Sequence, residues 1–226
     1  MRTDSKLHDW WIDPQEYARQ ENRRGRRHAY ESLDPVRTAL IVIDMVPFFA
    51  EANPYVRGIV PNIGRIAGAL RTAGGLVAWV LPANETPLGR VSSEFYGSRV
   101  SETFASTGGA GPMRSRLWHA LHVRPDDLVV EKRAYSAFFP GRSQLPDLLA
   151  ERGTDTVLIT GALTNVCCES SARDAATTGL RVLMVADANA ARRDQDHNAT
   201  LHTIYRSFGD VRSTNEVLDL IGQHPS

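Results

Sequence analysis

The chain has 226 residues, 42% of them hydrophobic, and its 26 basic side chains balance 26 acidic ones, giving a formal net charge of zero. That length supports one sizeable core, and the balanced charge supplies no bulk field for nucleic acid or a membrane surface. Neither a bilayer-spanning apolar run nor a signal-peptide core is found, and the two cysteines are adjacent, which excludes an ordinary structural staple and suits a reducing, cytoplasmic setting.

Residues 1–36 read as a polar N-terminal arm, and residues 37–226 as a single domain. Within the arm, Asp13-Pro14 resembles a capped helix start. The basic run from Arg23 to His28 can contact an anionic partner, but the favoured reading is a solvated arm packed on a neighbouring subunit through Trp10, Trp11 and Tyr17.

Residues 38–43 form a continuous apolar run, as a central parallel strand covered on both faces requires, and Asp44 ends it. An acid there lies in the crevice where open α/β sheets place ligands; a structural reading makes it a cap on the loop after the strand. Phe48 and Phe49 come next in an aromatic loop suited to lining a pocket over the acid, although aromatic residues equally cap cores. Residues 60–73 carry Ile63, Ile66, Ala67 and Leu70 at helical spacing before the Gly74-Gly75 stop, and residues 76–81 are a second buried strand. The stretch 82–112 is rich in Gly, Ser and Pro with little periodicity, an excursion for substrate contacts or an oligomer interface.

A short helix is expected over 113–121 and a third strand over 127–130, with Lys132 just beyond it. A lysine at a strand end is ordinarily solvated; close to an acid and a thiol it would stabilise both anions. Tyr135, Phe138 and Phe139 are spaced to line the same pocket. A helix over 143–152 hands over to the strand beginning near Thr156.

The segment VLITGALTNVCCESSARDAA, residues 157–176, reads as buried strand, tight turn and helix. Thr164 and Asn165 are both good helix caps, which would put Cys167 in the first turn, where unpaired N–H groups and the helix dipole favour a thiolate. In such a place the ordinary thiol pKa of about 8.5 falls by one to several units. Successive helical side chains diverge by about 100°, so one of Cys167 and Cys168 can face the site, and a buried core role is open to either. A strand over 180–185 with Asp187 and Asn189 at its end, a helix over 194–208, a short edge strand over 210–214 and a closing helix over 214–221 complete the chain. The alternation predicts a three-layer α/β/α sandwich around a mostly parallel sheet. Asp187 and Asn189 are read as shaping their loop.

Residues 161–174, GALTNVCCESSARD, resemble the nucleophile motif of the isochorismatase-like cysteine hydrolases, in which T-[ND]-x-C follows a strand and R-D lies on the helix after it. Ile41-Val42-Ile43-Asp44-Met45 is similar to the family's first strand with its acid, and Glu131-Lys132-Arg133-Ala134-Tyr135-Ser136-Ala137-Phe138 to its lysine segment. The resemblance runs from about Arg37 to Ile221 and singles out Cys167 over Cys168. It implies Asp44, Lys132 and Cys167 as catalytic residues, and an oxyanion hole from the N–H groups of Leu163 and Cys167, oriented by a cis peptide between Ala162 and Leu163. It also implies dimers or tetramers.

The expected activity is hydrolysis of a small carboxamide, ureido compound or lactam through a thioester, with no cofactor, and with Phe48, Phe49, Tyr135 and Phe138 lining the substrate site. The doubled cysteine with Glu169 is similar to the lactam-opening streptothricin hydrolases. Zinc-containing relatives carry Asp-x-His after the second strand; residues 81–86, LPANET, offer no histidine, and the seven histidines lack ligand spacing. Isochorismatases that cleave a vinyl ether lack a cysteine here, which counts against that chemistry. A scaffold that keeps the pocket without turnover is a competing reading. A redox pair of vicinal cysteines is another, disfavoured by the geometry of an adjacent disulfide in a helical turn.

Overall fold

The computed structural model describes residues 4–83 and 89–223; Asn84, Glu85 and Thr86, which bear on the expectation of no metal, lie outside the described residues. Among the described residues there are six strands: β1 Thr38–Ile43, β2 Leu76–Pro82, β3 Leu128–Lys132, β4 Thr156–Ala162, β5 Arg181–Ala190 and β6 Asp210–Arg212. They form one sheet in the order β3-β2-β1-β4-β5-β6, with every pairing parallel. Helices α1 Pro14–Arg24, α2 Pro47–Ala52, α3 Pro54–Gly58, α4 Val60–Thr72, α5 Gly89–Tyr96, α6 Ser98–Ala105, α7 Leu145–Ala150, α8 Glu169–Thr177, α9 Asp194–Ser207 and α10 Thr214–Gly222 connect or flank the strands.

The two-residue period of the strands divides the core. Leu40, Val42, Trp79, Leu81, Leu158 and Leu183 face one layer, where Ile63, Ile66 and Leu70 of α4 meet Val217, Leu220 and Ile221 of α10. Ile41, Ile43, Val80, Val157, Ile159 and Met184 face the other, with Leu149 of α7, Ala172 and Ala175 of α8, and Leu201, Ile204 and Tyr205 of α9. The fold is therefore the expected α/β/α sandwich. Each fully buried aliphatic side chain contributes about 1.5–3 kcal/mol, which makes the two central strands β1 and β4, both buried along their whole length, the axis of the structure.

The N-terminal segment differs from the solvated arm expected of it. Asp13 Oδ1 accepts the Gln15 N–H at 2.8 Å and α1 follows, but Ile12 is buried and Trp10 and Tyr17 pack on the chain's own core. The charged composition hid this because the apolar contacts are few and spread over one face. Gly25 caps the end of α1, its N–H donating to Glu21 O at 2.8 Å, and the basic run folds back just beyond it, with Arg24 donating to the carbonyls of Arg26 and Arg27.

Other boundaries also shift. The 82–112 excursion contains α5 and α6, each too short to show a clear period in sequence. Residues 113–121 hold only a 3₁₀ turn, Met113–Arg116, and the aromatic loop after Asp44 folds into α2 and α3. Strand β5 runs past 185 to Ala190, so Asp187 and Asn189 lie within it.

Candidate active site

The chain runs β1, β2, β3 to one side and resumes with β4 on the other side of β1. Ligands in open α/β sheets bind outside the carboxyl ends of the strands at such a reversal. Ile43 pairs with both Val80 and Gly161, and Pro82 with Lys132, so these strand ends are level.

Asp44 follows β1 with φ 52, a left-handed conformation that aspartate tolerates better than most residues. Its N–H donates to Val80 O at 2.8 Å, which keeps the turn tied to β2. Lys132 is the last residue of β3 rather than one beyond it. Both side chains are almost wholly buried, Asp44 1% and Lys132 5% exposed.

Cys167 arrives through an irregular strand end. The β4–β5 register shifts between Ile159 and Gly161, and Asn189 Nδ2 holds the bulge by donating to Ile159 O at 2.8 Å and Val185 O at 2.7 Å. Gly161 has φ 112, and a Cβ there would lie 2.1 Å from Ile43 O, so glycine is required. The Ala162–Leu163 peptide is cis. A single π-turn, Thr164–Cys168, then leads into α8. Such turns occur frequently at functional sites. Capping by Thr164 or Asn165 does not occur: Leu163 holds the cap position without a side-chain bond, and Thr164 Oγ1 lies instead 2.9 Å from His197 Nδ1. The wider turn moves the helix start, and the buried hydroxyl has another partner.

Lys132 joins the three groups. Its Nζ lies 2.9 Å from Asp44 Oδ2, 3.5 Å from Cys167 Sγ and 3.1 Å from Ala134 O. Burial lifts the Asp44 pKa above the usual carboxylate range, against the pull of the Lys132 charge and of hydrogen bonding by Cys167 and Lys132. Burial works the other way on Lys132, but Asp44 and then Cys167 outweigh it and raise its pKa. For Cys167, burial and then the Asp44 charge push the thiol up to about 12, with Lys132 opposing. Burial and the neighbouring carboxylate thus work against the helix-stabilised thiolate expected from the sequence and favour the protonated sulfur. Cys168 points away into the core, its Sγ 3.9 Å from Thr160 O.

A cavity of about 1170 Å³ reaches Asp44, Lys132 and Cys167, and Leu163 also borders it. Its aromatic walls are Phe49, Tyr96, Phe104, Tyr135 and Phe139. Two expected wall residues are elsewhere. Phe48 packs edge-on against Phe49, centroids 5.0 Å apart, and rests on the core. Phe138 is 1% exposed within the core, because the turn after β3, fixed by Ala137 N–H to Ser171 Oγ at 2.9 Å and Phe138 N–H to Ser136 Oγ at 3.0 Å, directs it inward and leaves Phe139 at the cavity. Tyr96 and Phe104, whose rings meet at 5.1 Å, were not legible in the aperiodic excursion. Among the described residues no group of three His, Cys, Asp or Glu side chains is placed to hold a metal ion, and no helix is long and apolar enough to cross a membrane.

A parallel α/β/α sandwich with an acid, an amine and a thiol gathered at its strand-order reversal is the frame of a cysteine hydrolase. The Isochorismatase domain profile matches residues 38–216, and the chain belongs to the isochorismatase family. It is 32% identical over 220 residues to the ureidoacrylate amidohydrolase RutB of Methylobacterium radiotolerans, covering 86% of this chain and 84% of that protein. A cysteine hydrolase from Pseudomonas syringae superposes with a TM-score of 0.74 at 28% identity, covering 86% of this chain and 97% of that one. The N-carbamoylsarcosine amidase of Thermoplasma acidophilum does so with a TM-score of 0.65 at 26% identity, covering 79% and 97%.

Proposed function

We propose that the protein is a cysteine-dependent amidohydrolase that cleaves a C–N bond of a small carboxamide, ureido compound or lactam. The observation that carries this reading is the single Lys132 ammonium within reach of both the Asp44 carboxylate and the Cys167 sulfur at a solvent-accessible cavity. Relatives whose names specify ureidoacrylate and N-carbamoylsarcosine as substrates support the C–N bond. Arg142 and Arg192 also border the cavity and suit a substrate with an anionic group.

With the thiol protonated at rest, attack and proton transfer proceed together. Asp44 takes the Cys167 proton as the sulfur adds to the carbonyl carbon, and its raised pKa makes it a better base for this step. The oxyanion is received by the N–H groups of Leu163 and Cys167, each such donor being worth about 2.7–4 kcal/mol in the transition state. Asp44 returns the proton to the nitrogen as the C–N bond breaks, leaving a thioester. Water then adds with Asp44 as base, and the carboxylic acid departs as the proton returns to sulfur. Lys132 holds the charge balance throughout.

The same reading places the enzyme in the cytoplasm with both cysteines reduced, and as a homo-oligomer. Val91 and Phe95 of α5, 72% and 78% exposed, support an apolar contact with another copy. The test is a screen of amides, ureides and lactams for ammonia or amine release. Wild-type turnover that disappears in Cys167→Ala is the expected result; turnover that survives the substitution removes the thioester mechanism.

A further inference from the structure

Two buried histidines stand behind the nucleophile turn, and no step of the hydrolysis uses them. His8, from the N-terminal segment, accepts the Ala191 N–H at Nε2 (2.9 Å), so its neutral ring carries the proton on Nδ1, which lies 2.6 Å from Asp194 Oδ1. The ring is sandwiched between Tyr55 and His197, with centroids 3.8 and 4.2 Å away and planes within 11° and 13°. His197 is fully buried, and its Nδ1 lies 2.9 Å from Thr164 Oγ1. Thr164 opens the π-turn that carries Cys167.

Burying polar rings is costly unless their nitrogens are used, and an apolar ring would fill the same space more cheaply. Here each histidine places a nitrogen where an apolar ring has none: one on the Ala191 N–H and Asp194, the other on the Thr164 hydroxyl. Burial, opposed at His8 by Asp194, lowers both pKa values, that of His197 to about 3, so both rings are neutral at ordinary pH and the stack carries no charge repulsion.

We propose that the N-terminal segment belongs to the catalytic apparatus: His8 fixes His197, and His197 fixes Thr164, so that the turn presents the Cys167 sulfur and N–H to the cavity. His8, His197 and Thr164 are positioning residues, since none touches the reacting atoms. The proposal rests on the reading of Cys167 as the nucleophile.

The test compares isosteric loss with conservative rescue in a Cys168→Ala background, so that a single thiol reports. Thr164→Val and His197→Phe delete the Thr164 bond; Thr164→Ser and His197→Asn keep an atom in place to make it. The readouts are the rate of Cys167 alkylation by iodoacetamide, kcat and KM on a substrate from the screen, and the melting temperature. Val and Phe are expected to slow alkylation and kcat about ten- to a hundredfold with KM little changed, while Ser and Asn restore both to within about threefold. His8→Phe, which keeps the stack and loses both polar bonds, is expected to slow alkylation about three- to tenfold. Unchanged alkylation in Thr164→Val overturns the proposal, as does equal impairment of Val and Ser in step with lost melting temperature. Alkylation needs no substrate, so the expected pattern without any amide turnover sinks the amidohydrolase reading alone, and intact amide turnover with unaffected alkylation sinks only the positioning role.

Discussion

Lys132 Nζ and Asp44 Oδ2 meet at 2.9 Å across the end of an intervening strand, β2, with both side chains buried. A buried pair of this kind costs desolvation that only mutual attraction offsets, so removing one charge strands the other. Asp44→Asn is therefore expected to cost about 3–5 kcal/mol of stability and to lower kcat/KM by about 10²–10⁴, the worth of a general base. Asp44→Asn/Lys132→Met is expected to recover most of the stability and none of the activity. Denaturant melts and kinetics on the four members of the cycle test this; a double variant no more stable than the single one sinks the charge-pair account.

The same three groups set the pH dependence of activity. The working form has Asp44 ionised, Lys132 charged and Cys167 protonated. Since the Asp44 pKa is raised, kcat/KM should climb with pH through an apparent pKa above the ordinary 3.8. The thiol at about 12 adds no descending limb below about pH 10. A profile measured from about pH 4 to 10 decides the matter: a break near about 8.5, where a free thiol titrates, would show that the sulfur ionises independently of the carboxyl.

The sheet was legible in the sequence because buried parallel strands are written as apolar runs; Thr38–Ile43 is of that kind, and residues 157–159 give the shorter run within β4. Asp44 and Lys132 were legible as charged residues at or just after the ends of such runs, whereas Cys167, beyond the end of β4, was singled out by the resemblance of its segment to a family motif. The turns beyond the strand ends were not legible. Whether Phe138 or Phe139 faces the cavity depends on one turn held by Ser136 and Ser171, and the latter is on a distant helix. The register of the nucleophile turn depends on a bulge and a histidine from α9, neither of which leaves a local pattern around Thr164. The state of the thiol depends on burial, which no local motif records.

That turn after β3 separates two adjacent rings by function. Phe138 is enclosed in the core, so Phe138→Ala should cost about 3–5 kcal/mol. Phe139 is half exposed at the cavity, so Phe139→Ala should change stability by less than about 1 kcal/mol while raising KM for the preferred substrate. Thermal melts paired with Michaelis curves distinguish them. Equal stability loss in the two variants would mean that the turn does not direct the rings as described.

His197 should leave its mark on stability in mild acid. Its folded pKa, about 3, lies below the ordinary 6.5, so the folded state favours the neutral ring. The resulting stability is fully present above about pH 6.5 and is lost as pH falls towards about 3, because the unfolded chain binds the proton first. His8 on the N-terminal segment, also lowered, adds to the same loss, Asp194 on α9 partly opposes it, and Lys6 acts on His8 in the lowering sense. Asp127, Asp194 and Asp196 are lowered as well, but from 3.8, so their contribution falls in a more acidic window. His197→Asn keeps a group for Thr164 and cannot be protonated. Its melting temperature is expected to start below wild type at pH 7 and to fall less steeply between about pH 6.5 and 4. Parallel curves for the two proteins over that range would show that His197 charges as readily in the fold as outside it, and that its burial against His8 carries no linkage.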